Sequence, residues 1–238
     1  EIKFYGIICS EDDLNNLQLW EKKWSMKFNP DKCQVLRITN KKNPLKSEYK
    51  IHDETLETVP AAKYLGVTIN SDLTWGKHIG EITSKANKMT SFLNRNIGSC
   101  PSNVKADCYN TLVRPVLEYA STAWDPIKKN EINKLEMVQR RAARFVKGDN
   151  RRTSSVTNML RDLDWQSLQR RRQISKVTML HKIANGAIDI PTDKLQPPNM
   201  ASRTRGHNFR YQVPYSIIQV HQQSFFPSSI KLWNTLEN

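Results

Sequence analysis

Lys63-Tyr64-Leu65-Gly66-Val67-Thr68-Ile69 divides the chain into a strand-like N-terminal third and a long helical remainder. Tyr, Val, Thr and Ile favour a pleated backbone, and a glycine inside such a run marks a bulge or a place where another chain comes close. Taken alone, the run reads as a buried strand with a packing glycine. The segments C-terminal to it raise a functional reading: Asp72-Leu73-Thr74-Trp75, then His78-Ile79, then Lys85-Ala86-Asn87-Lys88, in that order.

The 238 residues can bury one substantial core or two small ones. Lys and Arg number 37 against 23 Asp and Glu, a net charge of +14. Such an excess favours a polyanionic partner, most commonly the phosphate backbone. A membrane surface is the rival, but there is no apolar run of about 18 residues and no signal-peptide pattern, so the chain reads as soluble and intracellular. Cys9, Cys33, Cys100 and Cys108 show no C-x-x-C pairing and read as reduced thiols. His52, His78, His181, His207 and His221 are scattered, and G-x-S-x-G and HExxH signatures are absent, which argues against a hydrolase; a P-loop is also absent.

Upstream of the dividing run, Ile2 to Ile8 suits a short strand. Ser10-Glu11-Asp12-Asp13 resembles a capping box, and it opens a helix with Leu14, Leu17, Trp20 or Glu21, and Trp24 on its inner face. The Asp12-Asp13 pair is read as helix-start acids rather than a metal site. Cys33 to Thr39, Tyr49 to Ile51, Leu56 to Val59 and Tyr64 to Ile69 read as strands of a small antiparallel set, with a basic turn at Asn40 to Lys46.

Downstream, the pattern turns helical from Ser71 or Asp72. Ile79, Ile82, Ala86, Met89 and Leu93 form a stripe, and Lys77, Lys85, Lys88 and Arg95 lie off it. A second helix over about 102–124 carries Val104, Cys108, Leu112, Val116, Tyr119, Ala120 and Ala123, with a kink or restart at Pro115. The third, about 128–147, places Leu135, Val138, Ala142, Phe145 and Val146 on one side. Arg140, Arg144 and Lys147 lie opposite, Arg141 at the margin, and Arg151-Arg152 extend the charge. A fourth, Leu168 to Ala184, opens with Arg170-Arg171-Arg172 and turns Ile174, Val177, Leu180 and Ala184 inward, with Gly186 as C-cap. Beyond Ile190-Pro191 the composition shifts to Pro, Asn, Gln and Ser. Phe225-Phe226-Pro227 and Ile230 to Leu236 form an apolar patch expected to dock back through Trp233. The fold class is therefore α+β, a small antiparallel β element followed by a mainly helical bundle, with divisions at 1–70, 71–190 and 191–238.

The succession Trp24-Ser25-Met26-Lys27-Phe28-Asn29-Pro30-Asp31-Lys32-Cys33, Lys63-Tyr64-Leu65-Gly66-Val67, Leu73-Thr74-Trp75, 112–120 (LVRPVLEYA) and 135–146 (LEMVQRRAARFV) resembles the C-terminal part of reverse transcriptases from non-LTR, LINE-type, jockey-like retrotransposons. The resemblance runs from about Glu1 to about Gly206. It implies that residues 1–70 end the palm, with Tyr64, Leu65 and Gly66 in the primer-grip hairpin, and that 71–190 form the thumb and connection, followed by a Pro-rich tail. Its thumb helices would lay Lys85, Lys88, Arg95, Arg140, Arg141, Arg144, Lys147, Arg151, Arg152, Arg170, Arg171 and Arg172 along a template-primer duplex, RNA–DNA or DNA, by shape and phosphate. The upstream fingers and palm of the same polyprotein would be the other partner, and copying in this family takes place in the nucleus.

The family's metal-binding aspartates sit in a tight turn just before a stretch like Lys3-Phe4-Tyr5. Here Glu1 stands where the second carboxylate would be and the first is missing, so the chain reads as a fragment. The first helix also departs from the family, being roughly two turns shorter between Gln18 and Trp20. Polymerase chemistry needs two carboxylates holding two divalent metals about 3.5–4 Å apart. No cofactor is therefore expected in this chain, Mg²⁺ belonging to the complete polymerase. The alternative is a non-catalytic helical binding or scaffold protein derived from such an element. On either reading the isolated chain should not extend a primer with dNTPs and Mg²⁺. Template-dependent incorporation by purified protein, abolished by mutating a residue of this chain, would contradict that.

Overall fold

The computed structural model describes residues 11–39, 41, 43, 47–197 and 210–236. The expected strand at Ile2 to Ile8 and the Arg203-Thr204-Arg205-Gly206 run lie outside them. The chain forms two compact units, Glu1–His78 and Ile79–Asn238.

In the first unit, helix α1 (Glu11–Trp24) buries Leu14 and Glu21, not the whole apolar set that its spacing suggests. Trp24 is 55% exposed and Trp20 39%, because the helix stops there. Ser25 takes φ 52°, and the Met26 amide returns to the Glu21 carbonyl at 3.1 Å, a left-handed helix end. The chain then brings Phe28 inward, where its amide donates to Glu21 Oε1, while Glu21 Oε2 lies 2.6 Å from His52 Nε2. A buried carboxylate thus ties the helix to the loop beyond it and to the first hairpin.

Strands β1 (Gln34–Leu36) and β4 (Glu57–Val59) pair in parallel. The other pairings are antiparallel, as expected: β2 (Lys50–Ile51) with β3 (Glu54–Thr55), and β5 (Ala61–Tyr64) with β6 (Val67–Asn70). The dividing run is therefore not one buried strand. It is a hairpin whose turn is Leu65-Gly66, with Tyr64 opposite Val67. Leu65 at φ 44° and Gly66 at φ 88° give the primed turn that matches strand twist. Val67 and Thr68 are buried, and the Thr68 amide donates to Nδ1 of buried His78 at 3.2 Å.

Helix α2 (Gly76–Ile97) starts later than the pattern suggests, because Asp72 accepts from the Thr74 amide at 3.0 Å and Leu73 takes φ 56°, which holds a turn open. In the second unit its inner stripe is Ile79, Thr83, Ala86 and Leu93. The expected second helix is broken into α3 (Ser102–Cys108), a wide π turn (Tyr109–Val113) and α4 (Arg114–Glu118). Pro115 has no amide to donate, and the wide turn, closed by the Arg114 amide on the Tyr109 carbonyl, precedes it. The buried line is Lys105, Tyr109, Val113 and Leu117, one residue out from the expected one, and Val104, Leu112 and Tyr119 are exposed.

Helices α5 (Lys129–Lys147), ending in Gly148 at φ 64°, α6 (Val156–Asp162) and α7 (Leu168–Ala184) complete the bundle, with α5 packing on α3, α6 and α7. Along α7 the inward line is Leu168, Arg172, Lys176, Leu180 and Ile183, and Ile174 points out. After the short α8 (Gln219–Gln222), the tail helix α9 (Phe225–Asn234) packs on α7 through Ile230, which is fully buried. Trp233 is only half-buried, 6.0 Å from the His181 ring.

Leu65 carries a branched side chain in a left-handed turn position, which costs an L-residue roughly 1–2 kcal/mol. Leu65→Asn, creating an Asn-Gly turn, should raise stability by about 1 kcal/mol, read as a shift in urea midpoint at unchanged slope. Gly66→Val should lower it.

Candidate nucleic-acid interface

Many of the cations singled out from the sequence already have internal partners. Arg172 is 1% exposed, and its Nε donates to Asp125 Oδ1 at 3.0 Å. Lys176, equally enclosed, reaches Asp125 Oδ2 at 2.8 Å and Ser228 Oγ of α9 at 3.1 Å. Arg171 donates through Nε and Nη2 to the Glu118 carboxylate, the second bond being 3.0 Å. The α7 arginine run has no acid of its own, but Asp125 and Glu118 arrive from the segment before α5. Arg172 is thus removed from any set that a phosphate could reach, and Arg171 is committed to Glu118.

Arg144 is likewise structural. Its Nη1 donates to the carbonyls of Asp149 (3.4 Å) and Arg151 (2.7 Å), and its Nη2 to Ser154 O (3.4 Å), which ties the loop after α5 to the helix end. Arg151 forks onto Asp149 at 3.1 and 3.2 Å. Hydrogen bonds from Arg151 and Ser154 hold the Asp149 carboxyl well below the usual carboxylate range. Lys147 lies 3.5 Å from Asp162. The expected trio Arg140, Arg144 and Lys147 therefore does not form one free cationic face.

Of the expected set, the cations that remain exposed without an ion pair among the described residues are Lys85, Lys88 and Arg95 on α2, Arg140 and Arg141 on α5, Arg152, and Arg170. Lys88 and Arg95 stand seven residues apart, roughly 20° apart around the helix, while Lys85 lies about 60° from Lys88. The strip bearing Lys88 and Arg95 also presents Gly80, Ser84, Asn87 and Ser91. Beside it, a groove of about 400 Å³ opens between α2, α3 and α5, with Asn87, Asn94, Lys105, Arg141 and Phe145 in its walls. Asn87 Oδ1 accepts from Arg141 Nη1 at 3.1 Å. No carboxylate lines the groove, and on α2 the one acid is the exposed Glu81, seven residues before Lys88.

Sequence reasoning singled out Lys88, Arg95 and Arg141 and passed over Lys105 and the small polar residues between them. The missed signal was present, since Gly80, Ser84, Asn87, Ser91 and Asn94 recur at helical spacing on a face that could be neither core nor an ordinary charged exterior. A separate cavity of about 200 Å³ is walled by Tyr109, Gln139, Trp165 and Arg171, with the Tyr109 and Trp165 rings stacked at 4.3 Å. Burial, then Glu118, pushes the Tyr109 hydroxyl above the usual phenol range, so it stays a donor, 3.5 Å from Gln139 Oε1.

In the first unit, Tyr64 and Leu65 are 39% and 63% exposed at the tip of the β5–β6 hairpin, and Gly66 completes its turn. No group of three or more His, Cys, Asp or Glu among the described residues could hold a metal ion. Cys33, Cys100 and Cys108 are free thiols. No helix among the described residues is long and apolar enough to cross a membrane.

Comparison with known proteins supports the class to which the motif succession pointed, reverse transcriptases of the non-LTR retrotransposon type. The probable RNA-directed DNA polymerase from transposon BS of Drosophila melanogaster is 27% identical over 183 residues, 71% of this chain and 19% of that protein. The RNA-directed DNA polymerase from the mobile element jockey of Drosophila funebris is 28% identical over 58% of this chain and 15% of its own length. The probable polymerase from transposon X-element of D. melanogaster is 24% identical over 60% and 17%. The chain thus spans less than a fifth of these curated relatives. No family model and no solved structure matches it.

Among the described residues Asp125 is the single counter-charge for two buried cations, and removing one partner of a buried ion pair is far more damaging than its net worth suggests. Asp125→Ala should destabilise the chain by about 3–5 kcal/mol. Arg152→Ala, at an exposed site, should stay within about 0.5 kcal/mol of the parent. Thermal unfolding of the two variants side by side checks both.

Proposed function

We propose that the chain is the nucleic-acid-holding part of an RNA-directed DNA polymerase of the non-LTR type, gripping a template-primer duplex with its helical unit and positioning the primer end with the β5–β6 hairpin. The observation that carries the reading is the strip of α2, where Lys88 and Arg95 stand among Gly, Ser and Asn and the helix carries a single acid, Glu81, seven residues before Lys88. Cations, hydroxyls and amides that outnumber the acid suit a phosphate backbone, and small side chains let it come close. Such contacts recognise charge and helical shape, not sequence, as a polymerase that must translocate along any template requires. The fingers and the rest of the palm, supplied by the same polyprotein, would bring the metal-holding carboxylates and their chemistry, and copying would take place in the nucleus.

Leu65 supports the hairpin's role. An apolar side chain held in a left-handed turn and 63% exposed contributes little to the unit's own core, which fits a tip that packs on a ligand. Because Gly66 is a turn residue, Leu65→Asn is the better probe of that tip, as it removes the apolar contact while the turn is kept.

The salt law separates this reading from a merely solvated helix. Lys88→Ala with Arg95→Ala should make the slope of log K against log salt shallower by about 1.4–1.8 for an RNA–DNA hybrid, taking single strands and B-DNA as bracketing references. Affinity for unrelated duplexes should drop equally. Fluorescence anisotropy at several salt concentrations, with circular dichroism as folding control, measures it. An unchanged slope in the folded double variant would remove α2 from the interface.

A further inference from the structure

We infer that Lys105 is the floor of a phosphate site in the groove between α2, α3 and α5, and that the site takes a phosphodiester of a nucleic-acid strand. The inference rests on the proposed nucleic-acid function and adds to it a residue and a place.

Lys105 is 8% exposed, yet its ammonium has neither an ion pair nor a hydrogen bond among the described residues. It lies over the face of Phe145, 5.5 Å from the ring centroid. An ammonium holds three donors, and placing it on a largely buried side chain, open only to the groove, without a counter-charge is unfavourable. Part of the compensation comes from the Phe145 π-cloud. Part comes from the C-terminal ends of α2 and α5, whose succeeding glycines, Gly98 and Gly148, border the groove. These hold the charge in place without using its donors. Every other charged group in the wall has the same sign: Arg141 is the second cation, aimed by Asn87, and no acid is present. A groove of about 400 Å³ with two cations, amide and hydroxyl donors and no acceptor of negative charge is complementary to an anion.

The anion belongs to a strand, not to a separate small ligand, because the groove is continuous with the open strip. Asn87 and Ser91 line both. A backbone lying on Lys88 and Arg95 would present its next phosphates toward Arg141 and Lys105.

Lys105→Met keeps the aliphatic stem and removes the charge. In the whole chain it should make the hybrid-binding salt slope shallower by about 0.7–0.9 and lower affinity several-fold at low salt. Its melting temperature should stay level, since the ammonium has no ion pair or hydrogen bond to lose; a purely structural lysine would give a lower one with binding unchanged. If Lys105→Met leaves the slope unaltered while the Lys88 and Arg95 double variant flattens it, the groove inference fails and the wider reading stands. If neither alters it, both fail. Should Lys105→Met unfold the chain, exposed Arg141→Met decides: a slope reduced by the same step supports the site, and an unchanged slope overturns it. A polyglutamate peptide bound with Lys105 dependence, while hybrid binding has none, would assign the groove to an acidic protein segment and overturn the phosphate site.

Discussion

Asp125 lies between two cations that the helical unit has taken inside, Arg172 at 3.0 Å and Lys176 at 2.8 Å, and the packing of α7 depends on it. The α7 line that faces inward contains those two residues between Leu168 and Leu180. Their aliphatic stems can pack like apolar side chains, but their heads need a carboxylate within reach. Trp124 supplies the placement. It is buried, and its Nε1 donates to the Tyr119 carbonyl at 2.8 Å, closing the turn that passes through Ala120 at φ 52° and delivers the next residue, Asp125, to α7. From the same cluster Lys176 reaches Ser228, so the tail helix is held by the charge pair as well as by Ile230. A buried pair of this kind contributes less to net stability than to uniqueness, since a slipped α7 would leave two cations stranded.

That constraint decides what the exterior looks like. With 37 cations against 23 acids, the acids that organise the fold face inward or sideways: Glu21 under α1, Glu118 on Arg171, Asp125 on α7, Asp149 in the loop after α5. Each neutralises a neighbour or caps a donor, and α2 is left with one acid, Glu81, against Lys77, Lys85, Lys88 and Arg95. The excess positive charge is consequently not spread evenly. It remains open where no internal acid was needed, on α2 and along the adjoining wall of α5. A cation's meaning in this chain is set by whether an acid from another element reaches it, and that is a tertiary property.

Helix existence was legible because it depends on local pattern. The end of α5 at Gly148 and the span of α7 arise from caps and spacing visible in one dimension. What was not legible depended on partners distant in sequence. Arg171 and Arg172 read as an unopposed basic run because Glu118 and Asp125 lie about fifty residues away. Trp24 read as core because nothing local announces that the helix ends under it and that Phe28 takes the inward place. The Leu65-Gly66 turn was ambiguous because a two-residue hairpin usually carries Asn or Asp before its glycine, and leucine hid the signal.

The one-residue displacement in the α3–α4 region has a geometric cause that bears on the groove as well. Residues four apart drift by about 40° per step on a regular helix, so Lys105, Tyr109, Val113 and Leu117 could not share a side over three steps. The wide turn at Tyr109–Val113 takes up extra residues before Pro115, where a regular hydrogen bond is impossible anyway, and brings the four back into line. Apolarity alone would have put Val104 and Leu112 inside; the Pro-directed turn selects the neighbouring line and takes a lysine in with it. Lys105 stands at the first position of that line, where it emerges beside Phe145 into the groove. The same backbone irregularity that defeats a period-3.6 reading therefore sets a positive charge at the floor of a polar groove, and the small residues of α2 leave the space above it open.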